Sequence, residues 1–207
     1  NCFTHLLSYI KTGMTEKQIA LEIEMYFKTH GADGVSFEPI VAIGENSSIP
    51  HWIPGNRKVE MADPILIDMG CKYEGYCSDM TRTIFMGCIL EEIKPVYDLT
   101  LKNLELSTKE ITDGYTIKTA ANMVESDFKV NGYNLIHALG HGVGLEVHEL
   151  PFIRLKNEAN FKENMVIADE PGIYLPGKYG IRIEDTLLVT KDGSERLTKS
   201  ERGYVVI

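Results

Sequence analysis

Apolar residues recur at helical spacing in two well-separated stretches of the chain. Ile19, Ile23, Tyr26 and Phe27 form one stripe, opened by Thr15 and Gln18 as a capping box and closed at Gly31. Ala120, Val124 and Phe128 form another, between Gly114 and Gly132. Shifted by 101 residues, Gly114, Thr116, Ala120, Val124, Phe128 and Gly132 fall under Gly13, Thr15, Ile19, Ile23, Phe27 and Gly31. Each helix leads through strand-like sequence to a histidine, His51 and His148. The pattern predicts two related halves with an active site on the pseudo-twofold between them. A short helix is predicted at the start (CFTHLLSYI). Another is predicted over about Leu90 to Ile111, with Pro95 in its first turn, where a missing N–H does no harm.

The rest reads as strands. PILIDMGCKY and YCSDMTRTIF flank the two-residue turn Glu74-Gly75. VIADE stops at Pro171, and GIRIEDTLLVT alternates until Lys191-Asp192-Gly193. Helices with mostly antiparallel strands define an α+β fold, and no linker divides residues 1–207, so one domain is expected.

The hairpin turn sets a register in which Tyr73 faces Tyr76 and Gly70 faces Asp79. Asp68 and Asp79 then lie diagonally on one face. Two carboxylates at that range repel in a dry pocket, and a cation between them removes the penalty. Glu170 ends an apolar strand. In GIRIEDT, Ile181 and Ile183 point one way, Arg182 and Glu184 the other. If that polar side faces water, the two glutamates have no special role.

Three of the six histidines, His137, His141 and His148, crowd into HALGHGVGLEVHE. This is not HExxH: position 138 is Ala, and Gly140, Gly142 and Gly144 disfavour a helix. Glycines there would let backbone approach a metal or substrate. Four carboxylates and one imidazole make an oxygen-rich set. It suits Mn(II), Co(II), Fe(II) or Zn(II) with bridging carboxylates better than a closed tetrahedral zinc site.

Composition narrows the partners. Hydrophobic residues are 43% and charged residues 25%, as in an ordinary globular protein. With 21 basic against 30 acidic residues and no basic stripe, nucleic acid and anionic membrane are poor partners. No apolar run approaches the roughly 20 residues that span a bilayer. Cys2, Cys71, Cys77 and Cys88 form no CxxC pair. No signal-peptide pattern precedes them, so a reducing cytoplasm is expected. The acceptor pattern Asn46-Ser47-Ser48 is then a chance match.

SSIPHW, LIDMGCKYEGYCSDMTRT, HALGHGVGLEVHELP, ADEPGIY and GIRIEDT, in that order, resemble the catalytic domain of the "pita-bread" metallopeptidases. That family includes methionine aminopeptidases, aminopeptidase P and prolidases, and the resemblance covers essentially the whole chain. It implies a pita-bread fold, with two pseudo-symmetric halves around a curved, mainly antiparallel sheet and a dinuclear metal centre. The implied ligands are Asp68, Asp79, His141, Glu170 and Glu184, with Asp79 and Glu184 bridging. Asp68 would hold one ion, His141 and Glu170 the other. Mn(II) is the ion the family suggests first. His51 and His148 match non-ligand active-site histidines, and Glu170 would also move the proton of a metal-bridging hydroxide. His137 and Arg182 match substrate-pocket positions. IDMG, SDMTRT, HALGHGVGLEVHE and the fourteen residues from Glu170 to Glu184 look more like the Xaa-Pro branch than the methionine branch. The expected activity is hydrolysis of an N-terminal Xaa-Pro bond in dipeptides or short peptides, with room for a homodimer. One departure is the absence of the separate N-terminal domain usual in proline-directed relatives. The chain begins with Asn inside a helical pattern, as an excised domain would. Methionine aminopeptidase-type cleavage and a catalytically dead binding module are the alternatives.

Overall fold

The computed structural model covers residues Asn1–Ile207. In chain order its elements are α1 (Cys2–Tyr9), α2 (Glu16–Thr29), β1 (Gly34–Val35), β2 (Ile40–Ile43), β3 (Pro64–Met69), β4 (Cys71–Tyr73), β5 (Tyr76–Cys77) and β6 (Met80–Phe85). Then follow α3 (Lys94–Glu110), α4 (Ile117–Val130), β7 (Gly140–Gly142), β8 (Glu149–Ile153), β9 (Val166–Asp169), β10 (Gly172–Leu175), β11 (Tyr179–Arg182), β12 (Asp185–Thr190) and β13 (Gly193–Arg196). Paired strands are antiparallel, in the orders β2-β3-β6, β13-β12-β9-β7-β8, β1-β4-β5 and β10-β11. The α+β expectation holds. No helix is long and apolar enough to cross a membrane.

The two halves repeat down to individual hydrogen bonds. Gly13 N–H donates to Val59 and Gly114 N–H to Phe161. Glu16 N–H donates to Arg57 and Ile117 N–H to Ala159. Isolated antiparallel bridges pair Thr15 with Lys58 and Thr116 with Asn160. Ala62 and Asn164 share a left-handed conformation, φ 67° and 70°, just before β3 and β9. Each half also has its own apolar core. In the first, Leu6, Ile19, Ile23, Ile65 and Ile84 pack together; in the second, Leu104, Val124, Phe128, Ile167 and Leu187.

The hairpin register is as expected. Tyr73 pairs with Tyr76, and the same alignment continues to Asp68 opposite Thr81. Glu74 and Gly75 both have positive φ, 48° and 85°, the turn whose twist suits a two-residue hairpin. Three boundaries differ. The third helix starts at Lys94 rather than Leu90, with Pro95 in its first turn. PILIDMGCKY breaks at Gly70 into β3 and β4, which belong to different sheets. GIRIEDTLLVT breaks at Ile183–Glu184 into β11 and β12. At that break Glu184 N–H donates to the Thr81 carbonyl, so the strands of one half meet β6 of the other.

Candidate metal centre

The polar side of GIRIEDT does not face water. Arg182 is 2% exposed and Glu184 1%. Glu184 sits where β11 gives way to β12, and Asp79 where β5 gives way to β6. Both carboxylates thus project from strand junctions, toward each other across the seam of the two halves. His141 comes from the middle of β7, squeezed between β8 and β9. Its flanking glycines serve that squeeze rather than a metal or substrate. A Cβ on Gly140 would lie 1.9 Å from the Ala168 carbonyl oxygen, and one on Gly142 2.5 Å from that of Leu150.

One ligand atom each from Asp79, His141 and Glu184 lie within 4.8 Å of one another. His141 Nε2 is 3.6 Å from Asp79 Oδ2 and 3.6 Å from Glu170 Oε1. Its Nδ1 donates to the Gly142 carbonyl at 3.0 Å, which leaves the Nε2 lone pair facing the acids. Burial pushes the imidazole pKa down to about 4, so the ring is held neutral, as a ligand must be. Asp68 Oδ2 accepts from Arg182 Nη2 at 2.6 Å, while the buried Oδ1 has no partner. Thr81 Oγ1 donates to Glu184 Oε2 at 2.7 Å and accepts from Arg182 Nε at 3.0 Å.

The electrostatics call for cations. Burial, then repulsion from Glu184, Asp68 and Glu170, holds the Asp79 carboxyl well above the usual carboxylate range. Glu184 is raised for the same reasons, burial first and then Asp68 and Glu170. Burial lifts Glu170 to about 8 against the opposing pull of Arg182. A single guanidinium cannot balance four carboxylates, and unpaired buried charge is costly. The orphaned Asp68 oxygen, the oriented imidazole and the hard oxygen donors therefore fit divalent metal.

The centre lies on one wall of a cleft of about 610 Å³ that also contains His51, His148 and Trp52. His51 and His148 are exposed at its rim, and the His148 ring sits edge-on to His141 with centroids 4.3 Å apart. Leu21, Phe37, Pro39, Ile53 and Pro54 also line the cleft, together with the charged Lys17, Glu24 and Glu38. His137 lines a separate cavity of about 330 Å³. It reaches the cleft only through Tyr174, whose hydroxyl lies 2.9 Å from His137 Nε2 and accepts from Arg182 Nη1 at 2.8 Å. Thr81 and Tyr174 were not foreseen. Thr81 faces Asp68 in the predicted hairpin register and could have been found there; no periodic signal marks Tyr174.

Next to Glu170, Asp169 points into the core, where its Oδ2 accepts from Ser107 Oγ at 2.6 Å and Oδ1 has no partner. Burial raises its pKa to about 7. A carboxyl raised in the folded state destabilises it once the unfolded chain has ionised. That loss grows from the unfolded pKa of about 4 up to about 7. Asp169→Asn removes the titration. In metal-free protein, the melting temperature of the variant relative to the parent should climb from about pH 4 to about pH 7 and level off above it. A constant difference would refute the buried acid.

Residues 1–191 match metallopeptidase family M24. The Xaa-Pro dipeptidase of Pyrococcus furiosus is 40% identical over 195 residues, 93% of this chain and 56% of its own length. A Bacillus subtilis peptidase, YqhT, is 36% identical over 100% of this chain and 59% of its own. The crystal structure of an X-Pro aminopeptidase from Thermotoga maritima superposes with a TM-score of 0.97 at 40% identity, over 100% of this chain and 59% of that one. The chain thus spans rather more than half the length of these relatives. Its two-halved architecture is the pita-bread fold that the motifs implied. An acidic, histidine-bearing centre at the seam of that fold accords with the match, and the chain belongs to metallopeptidase family M24.

Proposed function

We propose that this domain hydrolyses the N-terminal Xaa-Pro bond of dipeptides or short peptides with two divalent ions, Mn(II) first among them. One observation carries the reading. Asp79, Glu184 and the His141 Nε2 lone pair converge in a cleft that Asp68, with one unpartnered oxygen, also lines. Asp68, Asp79, His141, Glu170 and Glu184 would hold the ions. When bound, such ions supply a hydroxide at neutral pH and a Lewis acid for the scissile carbonyl. Names among the relatives, Xaa-Pro dipeptidase and X-Pro aminopeptidase, support the substrate class.

The chain's own groups then have defined tasks. Glu170 is partly open to the cleft, so its carboxylate takes the nucleophile's proton and passes it to the leaving nitrogen. His148, beside His141, donates a hydrogen bond to the developing oxyanion. His51, across the rim, holds the scissile amide. Arg182 acts mainly by fixing Asp68 and Tyr174, and His137 contributes through Tyr174.

The test is a mass-spectrometric assay of the Mn(II)-loaded chain with Ala-Pro, Ala-Pro-Ala and Met-Gly-Met, against a chelated control. Chelator-sensitive loss of the Xaa-Pro peptides alone is expected, and loss of only Met-Gly-Met would overturn the proline assignment. His148→Ala should lower kcat by about 10²–10³, the usual effect of removing an oxyanion donor. An unchanged kcat would remove His148 from that role.

A further inference from the structure

Glu16 is an acid that none of the motifs contains, yet it is 0% exposed at the first turn of α2. Each of its oxygens accepts two hydrogen bonds. Oε1 takes them from Ile43 N–H at 2.9 Å and Asn46 Nδ2 at 2.8 Å. Oε2 takes them from the Trp52 indole N–H at 2.9 Å and Gly55 N–H at 2.7 Å. All four donors belong to the segment from Ile43 to Gly55, which carries His51.

The internal repeat shows that the fold does not require a carboxylate here. The equivalent residue at the start of α4 is Ile117, 0% exposed in the second apolar core. An apolar side chain satisfies the equivalent position in the second half. Burying a carboxylate instead is costly unless every bond is made. The segment is also held from its other side, because the Pro50 carbonyl accepts from Arg182 Nη1 at 3.1 Å, and Arg182 is paired with Asp68. His51 lies between these anchors, Pro50 tied to the metal wall and Trp52 tied to Glu16.

We propose that Glu16 is a positioning residue, whose buried carboxylate clamps the Ile43–Gly55 segment so that His51 and Trp52 face the substrate across from the metal ligands. The catalytic part of this role rests on the peptidase reading; the clamp itself does not. Trp52 is the sole tryptophan of the chain, so its fluorescence reports the segment without substrate. In Glu16→Gln the amide nitrogen faces donors where the carboxylate had accepted, and at least one pair of bonds is lost.

The experiment compares parent and Glu16→Gln by Trp52 emission, acrylamide quenching, Mn(II) calorimetry and Ala-Pro kinetics. The expected result is a red-shifted, more quenchable Trp52, unchanged Mn(II) affinity, and kcat lowered by up to about 10²-fold, as for a displaced active-site group. Unchanged emission and quenching would overturn the clamp. So would a parallel loss of Mn(II) affinity, which marks a general disturbance. If Glu16→Gln does not fold, Asn46→Ala removes one donor from the same oxygen pair. A smaller red shift then supports the clamp, and none overturns it. If the parent cleaves no peptide, the peptidase reading fails while Trp52 emission still decides the clamp.

Discussion

Asp79→Ala and Glu184→Ala are each expected to abolish tight divalent-metal binding and peptide hydrolysis together. Both side chains sit where the two halves meet, and both converge on the His141 Nε2 lone pair. Removing either would take away one of the two carboxylates that converge with His141 and leave the proposed ions with fewer oxygen donors. Loss of function should not come from loss of fold. In metal-free protein burial first, and then repulsion among these acids, holds Asp79 and Glu184 well above the usual carboxylate range. Asp79→Asn and Glu184→Gln remove that repulsion with little change of shape. They should melt at or above the parent's temperature without metal and below it with saturating Mn(II). Calorimetric titration with Mn(II), melting curves and the Ala-Pro assay check the three parts. Activity surviving either alanine change would sink the ligand assignment.

Asp185→Ala is expected to be the most destabilising change, costing about 3–5 kcal/mol as for a broken buried ion pair. Asp185 is 0% exposed and bonded to Arg82 Nη2 at 2.6 Å, and it also accepts from Arg202 Nε and Thr198 Oγ1. Without it, Arg82 and Arg202 lose a bonded counter-charge, and Arg196 loses a partner at 3.9 Å. Arg82 is 2% exposed at its side chain, so little water can take the place of the lost carboxylate. The effect should reach the candidate metal centre, because Arg82 Nη1 donates to the carbonyls of Thr81 and Glu184. Arg82 also bonds the carbonyls of Ser200 and Glu201, so the C-terminal segment should loosen with it. Urea denaturation of the metal-free chain measures the loss. A change below about 1 kcal/mol would place the pair among those that contribute little.

Both expectations start from residues whose significance was unequally legible. Asp68 and Asp79 could be paired from a two-residue turn alone, since turn type sets register and register sets face. The alignment runs from Tyr73–Tyr76 to Asp68–Thr81 although the strands change sheet at Gly70. Glu184 was legible only as an alternating polar position, which burial could make important or irrelevant. Its 1% exposure decides that, and the break between β11 and β12 that aims it has no periodic signature. The glycines around His141 were legible as a demand for close approach, but not as an approach between β7 and its neighbouring strands.

The sequence by itself determined the helices, the hairpin register, the internal repeat and the residue types of the centre. Turn chemistry and side-chain periodicity are local properties read within one half, and the repeat emerges when two such local patterns are laid side by side. Only the tertiary structure decided that Arg182 pairs with Asp68, that His137 stands behind Tyr174, and that Glu16 is buried beneath the His51 segment. A charged side chain reads alike in sequence whether it meets water or a partner. Which of the two it meets depends on surfaces that folding brings together, whether 27 residues apart as for Glu16 and Ile43 or 114 as for Asp68 and Arg182.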